Sequence, residues 1–198
     1  MLFRSPPHRF DRVEELLKTK PKHDLDGMRA IQNDTLSLST VRLLPVLKAT
    51  KSQHPLATDA LATLKTFEGH MNADLPAPLL FAVWVDELTR GLIEPKLGSD
   101  LFKAQYGKRH FRMLVENVMQ QTQNAWCEPM SCAEQSTAAL NRALDRIANL
   151  QGKNPANWRW GNEHLALSGH RPLGQVPVLR DLFSVKIPSS GEIGRAHV

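Results

Sequence analysis

No apolar run in this sequence approaches the roughly 20 residues needed to cross a bilayer, so nothing in it reads as a membrane anchor. The first ten residues, MLFRSPPHRF, have no apolar core of signal-peptide length and set two prolines where one would continue, so no export signal is read there. HExxH, GxSxG, GxGxxG and GxxxxGK[ST] are all missing, and none of the eight histidines has a second one four residues away. Thiols are scarce. Cys127 and Cys132 are the only two, and five residues with Pro129 between them match neither a CxxC redox pair nor a zinc site. A local disulfide and two free buried thiols both remain open, and the compartment decides between them.

What is present is an ordinary globular composition, 41% hydrophobic and 23% charged over 198 residues, which suits one domain with a sizeable core. An excess of 25 Lys and Arg over 20 Asp and Glu would permit an acidic partner. The basic residues are scattered, however, with no cluster beyond a pair such as Lys108 and Arg109 and no interleaved aromatics for base stacking. A solvated surface of mixed sign is the better reading, with no nucleic acid among the expected partners.

Apolar spacing predicts helices over 9–18, 24–48, 54–67, 76–91, 110–119 and 131–150. Asp24 stands where an N-cap would, and Pro45 should end or kink the long second helix. Met28, Ile31, Leu38, Val41 and Leu44 form its expected stripe. Leu56, Ala60, Leu64 and Phe67 form the next one, and Pro76 and Pro78 suit a first turn before a stop at Gly91. Phe111, Leu114, Val115, Val118 and Met119 give the clearest period, and Leu140, Ala143, Leu144, Ile147 and Leu150 a second clear face, stopped by Gly152. After Asn154 the period is lost, and Pro, Gly and Val replace it, so 154–191 is predicted as short strands and loops. Asp24, Asp26, Asp34 and Glu68 read as caps or exposed positions, and the histidines as hydrogen-bonded structural groups. Physical reasoning alone ends at a mostly helical domain with an extended tail.

Four local patterns, in order, resemble the penicillin acylase family of N-terminal-nucleophile hydrolases and together span almost everything from Arg9 to Gly191. The first is PPHRFDRVEELL, followed by DLDGMRAIQNDTLSLS and LLPVL. It is similar to the family's stretch in which an arginine precedes a helix and a long Gln-Asp-bearing helix follows. FEGHM with PAPLLFAVW is the second, and WCEPMSC, a tryptophan-cysteine-acid pattern with a second cysteine downstream, the third. The most specific is WRWGNEHLALSGHRPLGQVPVLRDLFSVKIPSSG, similar to the family's WxWGxxH and HRPLG elements before a proline-glycine turn.

The resemblance implies an α+β class, a mostly helical fragment of an αββα N-terminal-nucleophile fold taken from the back half of the large subunit. Residues 1–191 would be that region, helical over 9–150. It implies an amidohydrolase that frees the acyl group of a β-lactam, an acyl-homoserine lactone or a similar N-acyl compound. The nucleophile would be a Ser, Cys or Thr exposed by self-cleavage, its own α-amine acting as base. That residue, and the asparagine that helps stabilise the oxyanion, would lie upstream of this chain. Of the groups around the nucleophile only the arginine has a match, Arg9 in the register set by Leu16 and Leu17, with Arg12 its rival if the register slips one turn. Its guanidinium would orient the α-amine region and support charge. Gln32 and Asp34 are expected in packing or capping roles, and Trp158, Trp160, His164 and His170 at the junction of strands and core.

Exported members of the family are periplasmic or extracellular, which implies a Cys127–Cys132 disulfide. The family's calcium site is built largely from residues outside this stretch, so no cofactor and no metal ligand are expected here, and calcium belongs to the parent protein. Beyond the turn the family continues with an acidic residue and Thr-Val-Asn, whereas this chain reads EIGRAHV. IGRAHV is also one reading frame of a widely used sequencing adapter, so 192–198 is expected to be a non-native tail. A piece lacking strands at both ends is expected neither to hydrolyse amides nor to fold cooperatively alone. The alternative is a helical interaction or nucleic-acid-binding module, which accounts for the helices and charge but not for the Trp-Gly-His block or the cysteine pair.

Overall fold

A computed structural model describes residues 7–106, 110–121, 124–173 and 176–191; the EIGRAHV tail lies outside the described residues. The helices are α1 (His8–Leu17), α2 (Leu25–Gln32), α3 (Leu38–Ala49), α4 (Ala57–Ala62), α5 (Pro76–Leu97), α6 (Ser99–Tyr106), α7 (His110–Met119), α8 (Cys132–Gln151) and α9 (Pro177–Phe183). Strands β1 (Leu165–Ser168) and β2 (Val185–Pro188) pair antiparallel, with Leu165 opposite Pro188 and Ser168 opposite Val185. The class is α+β, mostly helical with a two-stranded sheet.

The core is built around α5. Pro76 opens it at a position where a missing N–H costs nothing, and the run Ala77–Val85 is buried on every side. Leu43 and Leu47 of α3, Val115 and Val118 of α7, and Leu140, Ala143, Leu144 and Ile147 of α8 complete the same cluster. Across α5 and α8, the Trp84 indole donates to the Ser136 carbonyl at 3.2 Å, and Arg142 donates to the Glu87 carbonyl at 2.9 Å and to its carboxylate at 3.2 Å.

This packing explains why α5 runs past Gly91, where a stop was predicted. A Cβ there would lie 2.7 Å from Arg142 Nη2 and 3.4 Å from Gln135 Oε1, so Gly91 lets α8's side chains approach and is not a terminator. The cap is Gly98, at φ 79°. α8 follows its prediction more closely. Ser131 caps it in a reciprocal capping box with Glu134, and Gly152 closes it at φ 84°. Leu150, placed on the buried face by its spacing, is exposed, one turn beyond the buried Ile147.

The long helix predicted over 24–48 is two helices. Asp24 does cap α2, accepting from the Gly27 N–H at 2.7 Å, but Asn33 ends it and Ser37, accepting from Thr40 N–H, starts α3. Between them the chain pairs with the FEGHM segment: Leu36 forms a bridge with His70, Ser37 N–H donates to Gly69 O at 3.1 Å, and Met71 N–H to Thr35 O at 3.0 Å. Gly69 is needed there, with φ 105° and Val41 Cγ2 only 3.0 Å from where its Cβ would be. Pro45 does not end α3, which runs on to Ala49; it lies on the exposed side, and Leu43, Leu44 and Leu47 form the buried stripe instead of Val41. The helix predicted over 54–67 shortens to α4, after which Leu64, Lys65 and Phe67 donate to carbonyls three residues back in tighter turns. Two helices, α6 and α9, were not predicted.

Both ends of the tail after Asn154 are tied to the segment that leads into α5. Trp160 N–H donates to Leu75 O at 3.1 Å, Gly161 N–H to Ala73 O at 2.7 Å, and the Trp160 indole to Gly191 O at 3.0 Å. Gly191 N–H reaches Met71 O at 2.7 Å. Gly161 has no room for a side chain: its Cβ would sit 2.9 Å from Pro188 Cβ and 3.0 Å from Ala73 Cβ.

Replacing the fully buried Leu144 with alanine is expected to cost about 2–5 kcal/mol by the loss of packing against α5, while Leu150→Ala changes little. Urea unfolding followed by far-UV circular dichroism distinguishes the two; equal effects would contradict the assignment of α8's faces.

Candidate functional site

Arg9 sits in the first turn of α1, exposed, and its side chain takes part in no hydrogen bond or ion pair among the described residues. Arg12, one turn on, is occupied. Its Nε donates to Asp34 Oδ2 and its Nη2 to Asp34 Oδ1, both at 3.0 Å, and Nη1 reaches Glu15 Oε2 at 3.3 Å. The two parallel bonds form the fork that suits a guanidinium and a carboxylate. Asp34 therefore ties α1 to the α2–α3 break. Burial works against its charge, but the hydrogen bond and charge of Arg12 outweigh it and hold its carboxyl below the ordinary range; the bond to Asp34 raises Arg12 in turn.

Beside Arg9, His8 points the other way, into the protein. Its Nε2 lies 3.0 Å from Glu116 Oε1 and 2.9 Å from Oε2, and Ser39 Oγ donates to the same carboxylate, with Arg42 Nη1 3.7 Å from Oε2. His8, Ser39 and Glu116 are all buried. The order of groups excludes a hydrolytic triad: the carboxylate stands between serine and histidine, whereas a general base must touch the hydroxyl it deprotonates. The cluster joins α1, α3 and α7. It is scaffolding.

Cys127 and Cys132 are bonded to each other, with Cα atoms 5.1 Å apart, which ties the preceding loop to the first residue of α8, and Gln135 donates to Cys127 O at 3.0 Å. A shallow hollow of about 370 Å³ lies beside them, lined among others by Val46, Thr50, Met119 and Ser136. Trp158 and Trp160 are buried, and His164 stacks on Trp160 with ring centroids 4.6 Å apart while its Nδ1 meets Ser189 O at 2.7 Å. Both tryptophans and His164 thus organise the junction of tail and core, whereas His170 is exposed, its ring 5.8 Å from Phe183. Among the described residues no three His, Cys, Asp or Glu side chains are grouped to hold a metal ion.

The structure brings Arg9 and Arg12 onto one short helix and gives them opposite circumstances. Sequence reasoning passed over His8, Ser39 and Glu116. Only Glu116 left a trace, a carboxylate between Val115 and Val118 in an otherwise apolar stripe. Its partners lie 77 and 108 residues away along the chain.

Because Asp34 is depressed on folding, its pairing adds stability that is complete above the ordinary carboxylate value of 3.8 and is lost as pH falls through the lower folded value. Hydrogen exchange is expected to show α1 losing protection in that acid window, and Asp34→Asn to leave α1 weakly protected already at neutral pH; unchanged protection in the variant refutes the tie. Alkylation of the native protein without reductant should find no free thiol, and replacing both cysteines with serine should lower stability by about 2 kcal/mol, the entropy of a short closed loop. Two reactive thiols would contradict it.

No curated protein matches the chain. A family model described as Penicillin amidase matches residues 2–197. That match runs over nearly the whole chain, and the chain belongs to the penicillin amidase family.

Proposed function

We propose that this chain is part of a precursor-processed amidohydrolase that cleaves the linear amide of an N-acyl compound, a β-lactam antibiotic, an acyl-homoserine lactone or a relative. Family membership supports the hydrolase reading, and the observation that carries the site is the contrast on α1: Arg12 is held by Asp34, while Arg9 is exposed and uncommitted among the described residues. The nucleophile is a Ser, Cys or Thr outside this chain, made amino-terminal by self-cleavage. Its α-amine takes the proton of the hydroxyl or thiol as the oxygen or sulfur attacks the amide carbon; the amine departs with that proton, and water releases the acyl group. Arg9's planar five-donor guanidinium holds charge and orientation around the α-amine region.

The αββα sandwich is the fold proposed for the whole protein. Leu167 is exposed on one face of the two-stranded sheet and Val185 and Ile187 on the other, and α9 leaves Val178 and Leu182 86% and 76% exposed. Further strands and helices of a sandwich would cover that surface. A periplasmic or extracellular location is supported by the disulfide, which persists where thiols are not kept reduced. Calcium, if the parent binds it, is held outside this stretch.

The full open reading frame tests the proposal. Its product should cleave itself, expose a new amino-terminal Ser, Cys or Thr by mass spectrometry, and turn over an N-acyl substrate, while the 198-residue chain alone shows no turnover. Arg9→Ala in the processed protein should lower kcat by about 10- to 100-fold, the worth of a charge-assisted hydrogen bond. Absence of self-cleavage, or turnover by the isolated chain, contradicts the reading.

A further inference from the structure

α1 is anchored to the rest of the protein by polar contacts at two points. It has ten residues, too few to persist in water unaided, and its apolar side chains are poorly covered, Phe10 being 66% exposed and Val13 and Leu17 exposed as well. His8 is its one buried residue. What fixes the helix is a pair of anchors in its first half: His8 on Glu116, and Arg12 on Asp34. These residues are four apart, so both anchors lie on one stripe, a turn from each other. Two points on one stripe set the rotation of the helix about its axis as well as its height. Arg9, one residue from His8, is about 100° round from that stripe and is exposed.

The first anchor reaches deep. Glu116 is 2% exposed, and both of its oxygens are engaged, by His8, by Ser39 of α3 and, at 3.7 Å, by Arg42. Its neighbours Val115 and Val118 belong to the core around α5. The aim of α1 is therefore referred to the buried core. His8 uses only Nε2 in this contact; Nδ1 is buried and has no hydrogen-bond partner among the described residues.

We infer that His8 with Glu116 and Arg12 with Asp34 are positioning residues, which lock the rotation of α1 so that Arg9 meets the α-amine of the nucleophile without themselves touching substrate. The inference rests on the proposed role of Arg9 and adds the mechanism by which that side chain is aimed. It makes the effect of each anchor conditional on Arg9, which a purely structural role would not do.

The test is a double-mutant cycle in the full-length, self-processed protein, with kcat and KM measured on an N-acyl substrate and folding checked by thermal melts. His8→Ala should lower kcat by about 10- to 100-fold, the cost of misplacing a reacting group by about 1 Å, with KM nearly unchanged. Added to Arg9→Ala, it should lower kcat no further. His8→Gln, whose amide nitrogen donates from nearly the position of Nε2, should restore most of the rate. Should His8→Ala fail to accumulate, Arg12→Lys, which gives up one of the two bonds to Asp34, takes its place in the cycle, with a several-fold loss that Arg9→Ala abolishes. Multiplicative effects of the two substitutions, wild-type kcat in either anchor variant, or no rescue by glutamine overturns the inference. If Arg9→Ala alone retains the wild-type rate, the role of Arg9 fails first and the positioning argument with it, an outcome told apart because it appears before any anchor is changed.

Discussion

Burial of α5 on all sides is the constraint to which the other elements answer. A 22-residue helix that is apolar around most of its circumference needs neighbours on every face, and α3, α7 and α8 supply them through Leu43, Leu47, Val115, Val118, Leu140 and Leu144. The polar groups that such a helix cannot avoid are dealt with at its edges. Glu87 takes Arg142 and Arg146, and the indole of Trp84 finds a carbonyl on α8, so no charge on α5 is left alone in the core. Gly91 belongs to the same solution, since the close passage of Arg142 depends on its missing side chain.

What could be read in the sequence follows from how local each cause is. α7 and α8 were legible because their buried stripes repeat within the helix itself, and the caps at Asp24 and Gly152 because a cap and the groups it satisfies are neighbours. The break between α2 and α3 was not, because its cause is distant: the bridge of Leu36 with His70 draws residues 33–37 out of the helix. The apolar spacing on either side nevertheless suggests continuity. Gly91 and Pro45 misled for the converse reason. Each is a local stop signal overruled by packing, in one case by Arg142 and in the other by Leu43, Leu44 and Leu47 holding α3 to the core.

The candidate site divides in the same way. Arg9 entered through a resemblance carried by its surroundings in sequence, and nothing in its own chemistry sets it apart from Arg12 until the structure shows one paired and the other not. Glu116 and His8 lie at opposite ends of a separation that no window of sequence spans. A buried carboxylate is costly unless its oxygens are satisfied, so the serine, histidine and arginine gathered around Glu116 are explained by Glu116 itself. The result is a polar rivet through three helices, next to the most exposed arginine of the first of them.

Gly191 touches Met71 on one side and Trp160 on the other, which gives the tail a topological meaning. The two ends of the stretch from Met71 to Gly191 are in contact, so α5, α8 and both strands belong to one closed circuit of chain. A circuit of this kind is released as a unit: the strands cannot leave the core while Trp160 still holds both Leu75 and Gly191, and the start of α5 cannot fray while Gly161 remains seated on Ala73. In the language of knots and fasteners, the Trp-Gly-His segment is the buckle, and the helical bundle is the belt it closes.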